Sequence, residues 1–172
     1  MFEFMTVREL YEMVMSGAEF ETESLEYVEL DGWVRTNRDN GKVGFLALND
    51  GTYFRNCQIV YLKETLEDYD TIKHISTGSA IRVLGKFKLT PESKQPFEIE
   101  ATQIVVEGAC DDDFPLQKKR HSFEYMREIP HLRPRANTFY AIFRLRSVLS
   151  MAIHEFFQSQ GFVYVHTPLI TG

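Results

Sequence analysis

Hydrophobic residues recur at helical spacing in two parts of the chain. Near the amino terminus, residues 6–9 (Thr-Val-Arg-Glu) have the form of a capping box, in which side chains satisfy the free amides of a helix start. Apolar residues then follow at positions 7, 10, 11 and 14, so we predict a helix over residues 7–16 that ends near Gly17. Farther along, apolar positions 142, 145, 148, 149, 153, 156 and 157 predict a long helix over 139–160, ended by Gly161.

Between these helices the pattern changes to short apolar runs bounded by turn residues, which is typical of β-strands. Gly32 marks the first run as a bent or bulged strand, and residues 39–41 (Asp-Asn-Gly) form the turn after it. Residues 63–75 have the spacing of one helix between the third and fourth strands. The predicted strands cover residues 27–34, 43–48, 54–61, 80–89 and 97–106.

Five short strands with one helix between the third and fourth is the order of an OB-fold, a small closed Greek-key barrel. An SH3-like barrel or a plain sandwich shares much of this pattern, and the internal helix favours the OB-fold. Prolines and charge runs break regular structure over residues 107–137, although 123–127 has the composition of one helical turn. Residues 161–170 enter through a glycine and close with a proline, which predicts a final strand.

We therefore predict a mainly β chain with α-helices. Its expected parts are an acidic helical extension over 1–23, an OB-fold barrel over 24–107, a hinge over 108–137 and the start of another domain over 138–172.

The formal net charge of −6 argues against a nucleic-acid partner until its distribution is considered. Residues 1–31 hold nine acids and one base, so the remainder holds 16 acids and 18 bases, a net of +2. Phosphate binding depends on a local basic face and not on the balance of the whole chain. Net charge therefore does not decide whether the chain binds a nucleic acid.

Other features point to a reduced cytosolic protein. No apolar run approaches the roughly 20 residues that span a bilayer, and residues 1–4 lack the basic segment and apolar stretch of a signal peptide. The two cysteines, Cys57 and Cys110, are far apart in sequence and have no metal-ligand spacing. We expect both to be small apolar residues with free thiols.

No catalytic or metal-binding constellation is evident. The sequence has no phosphate-cradling glycine loop and no nucleophile-elbow motif, and its five histidines are scattered. The run of three aspartates at 111–113 is typical of a solvated linker. We predict neither catalytic residues nor a metal site in this chain.

A binding surface has more support, because an OB barrel presents its second and third strands as a platform for single-stranded bases. We expect Phe45 to be the ring that faces outward, since Gly44 before it allows another backbone or a base to approach. Gln58 and Glu100 are polar groups that could contact base edges, or be ordinary surface residues. Other aromatic and basic residues lie nearby in sequence: Tyr53, Phe54, Arg35, Arg38, Lys42 and Arg55.

These residues resemble the amino-terminal region of asparaginyl-tRNA synthetases, over nearly the whole chain after about residue 24. Residues 32–51, from Gly-Trp-Val-Arg to Phe-Leu-Ala-Leu-Asn-Asp-Gly, resemble the anticodon-binding barrel of the aspartyl, asparaginyl and lysyl subgroup. Residues 119–128 (KRHSFEYMRE) and 131–135 (HLRPR) resemble the asparagine-specific hinge, which differs in aspartyl and lysyl relatives. Residues 161–170 resemble the first signature motif of class II synthetases, which implies that residues 138–172 are the helix and strand that begin a class II α+β catalytic domain, truncated here.

By position, the resemblance implies that Phe45 stacks on the anticodon. It also implies that Gln58 and Glu100 contact the central uridine and that Arg38 lies beside that loop, with Arg35 as a further basic residue. A glutamine amide offers a donor and an acceptor to a pyrimidine, and a carboxylate can accept from the uridine N3–H. The expected partner is therefore tRNA(Asn).

The resemblance also implies a homodimer, in which Pro168 lies at the two-fold interface and the helix over 139–160, including Phe156, supplies apolar area. The family uses ATP and Mg²⁺ to activate asparagine as an adenylate. The ATP-binding arginines of its second and third motifs have no counterpart before Gly172, so we expect the 172-residue chain alone to be inactive. Two alternatives stay open: a free-standing OB-fold nucleic-acid-binding module, and an aspartyl-specific or dual-specificity synthetase.

Overall fold

A computed structural model describes residues 2–16 and 27–169 of the 172-residue chain. The chain forms two compact units, of which the first ends at Arg120 and the second begins at His121. The finer domain bounds expected from the sequence remain predictions.

The first unit is a closed five-stranded barrel with one short strand outside it. Strand β1 (Glu3–Phe4) and helix α1 (Val7–Met15) come first. A short helix, α2 (Tyr69–Ile72), lies between the third and fourth barrel strands. The barrel strands are β2 (Tyr27–Asp39), β3 (Val43–Asn49), β4 (Cys57–Leu62), β5 (Ala80–Leu89) and β6 (Phe97–Gly108).

The barrel closes because β2 is long enough to pair with two neighbours. Its residues 27–33 pair antiparallel with β5, and its residues 33–39 pair antiparallel with β3. The register shifts between Val34 and Thr36, so the irregularity expected around Gly32 lies just after it. Antiparallel β3–β4 and β5–β6 pairs and a short parallel β4–β6 pair complete the ring. The predicted OB-fold is confirmed.

Helix α1 begins as the capping box predicted. The Glu9 amide donates to Thr6 Oγ1 at 3.2 Å, and the Thr6 amide donates to Glu9 Oε2 at 2.7 Å. Backbone bonding to Thr6 lowers the pKa of the Glu9 carboxyl. Val7, Leu10 and Tyr11 are buried in the barrel core, so α1 packs on the barrel. The expected end near Gly17 lies outside the described residues.

Two predicted elements of the barrel are shorter than expected. The third strand begins at Cys57 and not at residue 54, because residues 51–55 form a bend that returns the chain from β3. The helix predicted over 63–75 is reduced to the four residues of α2. Leu66, Tyr69 and Ile72 are all buried, and a series of tight turns brings them inward at a spacing of three residues.

The second unit is helical. Helix α3 (Phe123–Glu128) confirms the expected helical turn, and Ser122 Oγ accepts from the Tyr125 amide at its start. A 3₁₀ turn (Arg133–Arg135) precedes helix α4 (Asn137–Ser159). Gly161 follows α4 with a φ of 85°, a left-handed conformation that suits glycine, so the predicted helix end is confirmed.

The strand predicted over 161–170 is not formed, since residues 162–169 carry no strand pairing. A strand needs a neighbour for its backbone amides and carbonyls. The described residues of the chain offer this segment none, and all eight of its residues are exposed.

Candidate nucleic-acid interface

Strand β3 alternates strictly between the inside and the outside of the barrel. Gly44, Leu46 and Leu48 are buried, whereas Phe45 and Ala47 are only partly buried and face outward. The ring of Phe45 therefore lies on the outer surface of the barrel, as predicted from the sequence.

The strand register places further predicted residues beside this ring. Phe45 pairs with Arg38 on β2 and with Val60 on β4, and Val60 pairs with Glu100 on β6. These four residues form one row across adjacent strands, about 4.8 Å apart. The row, which we call the platform row, runs from a cation through an aromatic ring to a carboxylate.

Arg38 contacts the ring directly. Its guanidinium carbon lies 5.4 Å from the centroid of the Phe45 ring, within the range of a cation–π interaction. Arg38 is otherwise exposed, so its remaining donors face solvent. The pair offers a nucleic acid a π-face and a positive charge side by side.

Gln58 lies one step from the platform row, opposite Ala47 on β3. Its Nε2 donates to Glu98 Oε2 at 3.4 Å, a long hydrogen bond that directs the amide toward β6. Glu98 and Glu100 both face outward because they are two residues apart on one strand. Sequence reasoning named Gln58 and Glu100 and missed Glu98, although this period of two was the signal for it.

The structure does not bring every predicted residue to this surface. Arg35 stands at the register shift of β2, outside the paired rows, and its carbonyl accepts from Thr77 Oγ1 at 3.5 Å. Tyr53 stacks on Tyr11 of α1 with ring centroids 4.6 Å apart. Phe54 and Arg55 are exposed on the β3–β4 connection, and Lys42 is exposed in the β2–β3 turn.

The reason given for Gly44 was wrong. A Cβ at this position would stand 1.9 Å from Cζ of Tyr61 inside the barrel. Glycine is therefore required because the buried Tyr61 ring occupies that space, and not because a base approaches from outside.

Behind the platform row, side chains bind the turn between β2 and β3 to helix α2. Tyr61 donates to Asn37 Oδ1 at 2.8 Å, and Asn37 Nδ2 donates to the Ile72 carbonyl at 2.8 Å. The Tyr69 hydroxyl donates to Asp39 Oδ2, while the Gly41 amide donates to Asp39 Oδ1 at 2.9 Å. These bonds change the titration of the groups that they join. The hydrogen bond from Tyr69 is the main cause that lowers the pKa of the Asp39 carboxyl, so this group is ionised near neutral pH. Burial raises the pKa of both tyrosines to about 12.

In residues 2–16 and 27–169, no group of three or more histidine, cysteine or acidic side chains could hold a metal ion. None of the helices in that part of the chain is both long and apolar enough to cross a bilayer.

The sequence of residues 28–107 matches the tRNA anti-codon family, described as an OB-fold nucleic acid binding domain. Over 141 residues the chain is 60% identical to an asparagine–tRNA ligase of Acetivibrio thermocellus. The chain is thus similar to the amino-terminal part of asparagine–tRNA ligases. That alignment covers 82% of this chain and 30% of the relative, so the chain spans less than a third of the relative's length.

Solved structures of asparaginyl-tRNA synthetases are also similar to this chain. Asparaginyl-tRNA synthetase from Pyrococcus horikoshii superposes with a TM-score of 0.77 at 27% identity, over 86% of this chain and 36% of that one. The same enzyme complexed with asparaginyl-adenylate gives a TM-score of 0.76 at 28% identity, over 85% of this chain and 34% of that one.

Proposed function

We propose that the outer face of β2, β3, β4 and β6 binds the anticodon of a tRNA, as part of an asparagine–tRNA ligase. The observation that carries this proposal is the outward ring of Phe45 with Arg38 against it and carboxylates two strands away. Stacking of one base on an aromatic ring contributes about 1–3 kcal/mol and tolerates any base. Arg38 adds attraction to the neighbouring phosphates.

Base selection requires polar groups beyond the ring, and we assign it to Gln58 and Glu100. The uridine edge offers a donor at N3–H between two carbonyl acceptors. Glu100 accepts from N3–H, and the Gln58 amide donates to a carbonyl. Cytidine has an acceptor at N3, which a carboxylate repels, so the arrangement favours uridine in the central position. Glu98 orients the Gln58 amide through the 3.4 Å hydrogen bond.

The whole enzyme would join asparagine to tRNA(Asn) with ATP and Mg²⁺, through an adenylate, in the cytoplasm. The adenylate bound to the Pyrococcus enzyme supports this chemistry for the family. The described residues hold no acidic cluster fit for a metal, so no step is assigned to Mg²⁺ here. We propose that residues 1–172 by themselves do not activate asparagine. Asparagine-dependent ATP–pyrophosphate exchange by this chain would contradict that statement.

We further propose that two copies associate through α4 and residues 161–169. Phe156 is 59% exposed on α4, and Pro168, which cannot donate to a sheet ladder, is exposed in the segment after it. Exposed apolar surface of this extent marks an interaction site.

The test of anticodon binding uses a fluorescent anticodon stem-loop of tRNA(Asn) and anisotropy titrations. Phe45→Leu keeps the apolar volume and removes the π-face, whereas Phe45→Tyr keeps the ring. We expect Phe45→Leu to weaken binding by roughly 5- to 150-fold, the equivalent of one stacked base. Phe45→Tyr should bind within about threefold of the parent. Equal affinity of all three proteins would remove Phe45 from the interface.

Base specificity is tested with loops that carry U or C in the central position. The parent should prefer the U loop, and Glu100→Gln should reduce that preference, because an amide can adapt to either edge. Binding without regard to any anticodon base would favour a general single-strand-binding module over an anticodon reader.

A further inference from the structure

Arg38 stands between two residues whose side chains are hydrogen-bonded to buried tyrosines. Asn37 and Asp39 share one face of β2, opposite to Arg38, because side chains alternate along a strand. Asn37 is bound by Tyr61 and by the Ile72 carbonyl, and Asp39 is bound by Tyr69. The strand segment that presents Arg38 is therefore fixed from behind on both sides.

The tyrosines that hold this segment are themselves buried. Tyr61 is fully buried and Tyr69 is 3% exposed, and their ring centroids are 5.5 Å apart. A buried hydroxyl that loses its partner incurs a desolvation penalty, so both bonds are maintained in the folded protein. Asp39 extends the restraint into the turn by accepting from the Gly41 amide.

We propose that Tyr69 and Asp39 are positioning residues for RNA binding, which hold Arg38 against the Phe45 ring before the nucleic acid arrives. The proposal rests on the proposed function of the platform row. It deepens that function by assigning a role to helix α2, which lies behind the row and supplies no group to it. Preorganisation of this kind raises affinity by removing the ordering cost from the binding step.

The charge of Asp39 makes the proposal easy to distinguish from simple electrostatics. An ionised carboxylate one residue from Arg38 repels phosphates, so its removal should strengthen RNA binding if charge alone matters. If Asp39 acts by positioning, Asp39→Ala should weaken binding despite the lost negative charge. Asp39→Asn keeps an oxygen that accepts from Tyr69, so it should bind at least as tightly as the parent.

The experiment measures binding of the anticodon stem-loop to the full chain carrying Tyr69→Phe. Tyr11→Phe is the matched control, because Tyr11 is also 3% exposed and also donates through its hydroxyl, to the Asn56 carbonyl at 3.0 Å. It lies on α1, and its hydroxyl bonds to the β3–β4 connection and not to the turn beside Arg38. We expect Tyr69→Phe to weaken binding about tenfold and Tyr11→Phe to stay within about twofold.

Coupling to Arg38 provides a readout that a purely structural role would not change. In an Arg38→Ala background, Tyr69→Phe should have no further effect on affinity, since there is no guanidinium left to position. Equal losses in the two backgrounds, or equal effects of Tyr69→Phe and Tyr11→Phe, would overturn the positioning role. Tighter binding by Asp39→Ala would also overturn it. Failure of the parent to bind, or indifference to Phe45→Leu, would instead overturn the proposed function.

Discussion

The two units of this chain treat apolar side chains in opposite ways. In the barrel, Leu30, Leu48 and Ile59 have no exposed surface. In the second unit, α4 leaves Leu145 67% exposed, Val148 68% exposed and Phe156 59% exposed. The barrel encloses a buried apolar core. Helix α4 has the apolar composition of a core helix, but its apolar side chains are exposed.

The difference shows that hydrophobic spacing predicts a helix with an apolar face. It does not predict whether the residues that would cover that face are present. The α4 pattern resembles that of a buried helix, yet none of the described residues of α4 is buried. The cover that we propose for α4 is a second copy of the chain, as argued from its exposed apolar side chains.

The largest effect should come from truncating one leucine in each unit. Leu30→Ala should lower the free energy of unfolding of the barrel by about 2–5 kcal/mol, because it opens a cavity in a closed core. Leu145→Ala should change the free energy of unfolding of the helical unit by less than about 0.5 kcal/mol, as for other surface substitutions. Urea denaturation measures both, followed by the fluorescence of Trp33, the single tryptophan and a barrel residue, for Leu30→Ala and by the helical circular dichroism signal for Leu145→Ala. Similar losses for the two variants would contradict the contrast between the units.

A smaller loss is expected from filling space inside the barrel. Gly44→Ala places a methyl group against the Tyr61 ring, so we expect a loss of about 1–3 kcal/mol or more, since overpacking forces the core to move. Gly108→Ala is the control, because its Cβ would meet only Ala80 Cβ at 3.8 Å. The same denaturation experiment applies. An unaffected Gly44→Ala would show that Tyr61 can shift without cost.

Local pattern was enough to predict much of the barrel. The apolar run over residues 43–48 identified strand β3, and the capping box identified the start of α1. Phe45 does face outward, but that orientation was predicted from Gly44 and not from the alternation that explains it. These features are encoded by residues within one or two turns or along one strand. The order of the elements then limited the fold to a few choices.

Features that depend on distant residues were missed or misread. Gly44 was interpreted as room for another backbone or a base, because the sequence does not show that the Tyr61 ring lies against it inside the barrel. The pairing of Arg38 with Phe45 and the bond between Gln58 and Glu98 depend on strand register. The final strand was predicted from residues whose pairing partner is not among those described.

Self-association gives a test of the uncovered helix. Phe156→Asp places a charge on the exposed apolar face of α4, so we expect dimer formation to weaken by about tenfold or more, equivalent to about 1.4 kcal/mol. Sedimentation velocity over a range of concentrations measures it. Glu155→Gln, which alters a neighbouring exposed residue without adding charge to the apolar face, is the control. A monomeric parent protein at all concentrations would contradict the proposed interface.

The smallest expected effect is the difference in pKa between buried and exposed tyrosine hydroxyls of this chain. The pKa values of Tyr61 and Tyr69 are raised to about 12 from the ordinary value of 10.0, chiefly by burial. Below pH 10 both groups are neutral in the folded and unfolded states, so they add no pH dependence to stability. Above pH 10 the unfolded chain ionises first, and the free energy of unfolding therefore falls as pH rises from about 10 to 12.

Tyrosinate absorbance measures this titration directly in the folded protein. Of the eight tyrosines, a late component should remain protonated above pH 10, and Tyr61→Phe and Tyr69→Phe should each reduce it. The late component should be unchanged in Phe156→Asp, because it originates in the barrel and not in α4. If every tyrosine titrates together while circular dichroism still reports a folded barrel, then water reaches the two phenols and Asp39 is not held as the structure shows. Loss of the late component only in Tyr61→Phe would place the protection in the barrel interior and leave Tyr69 without it.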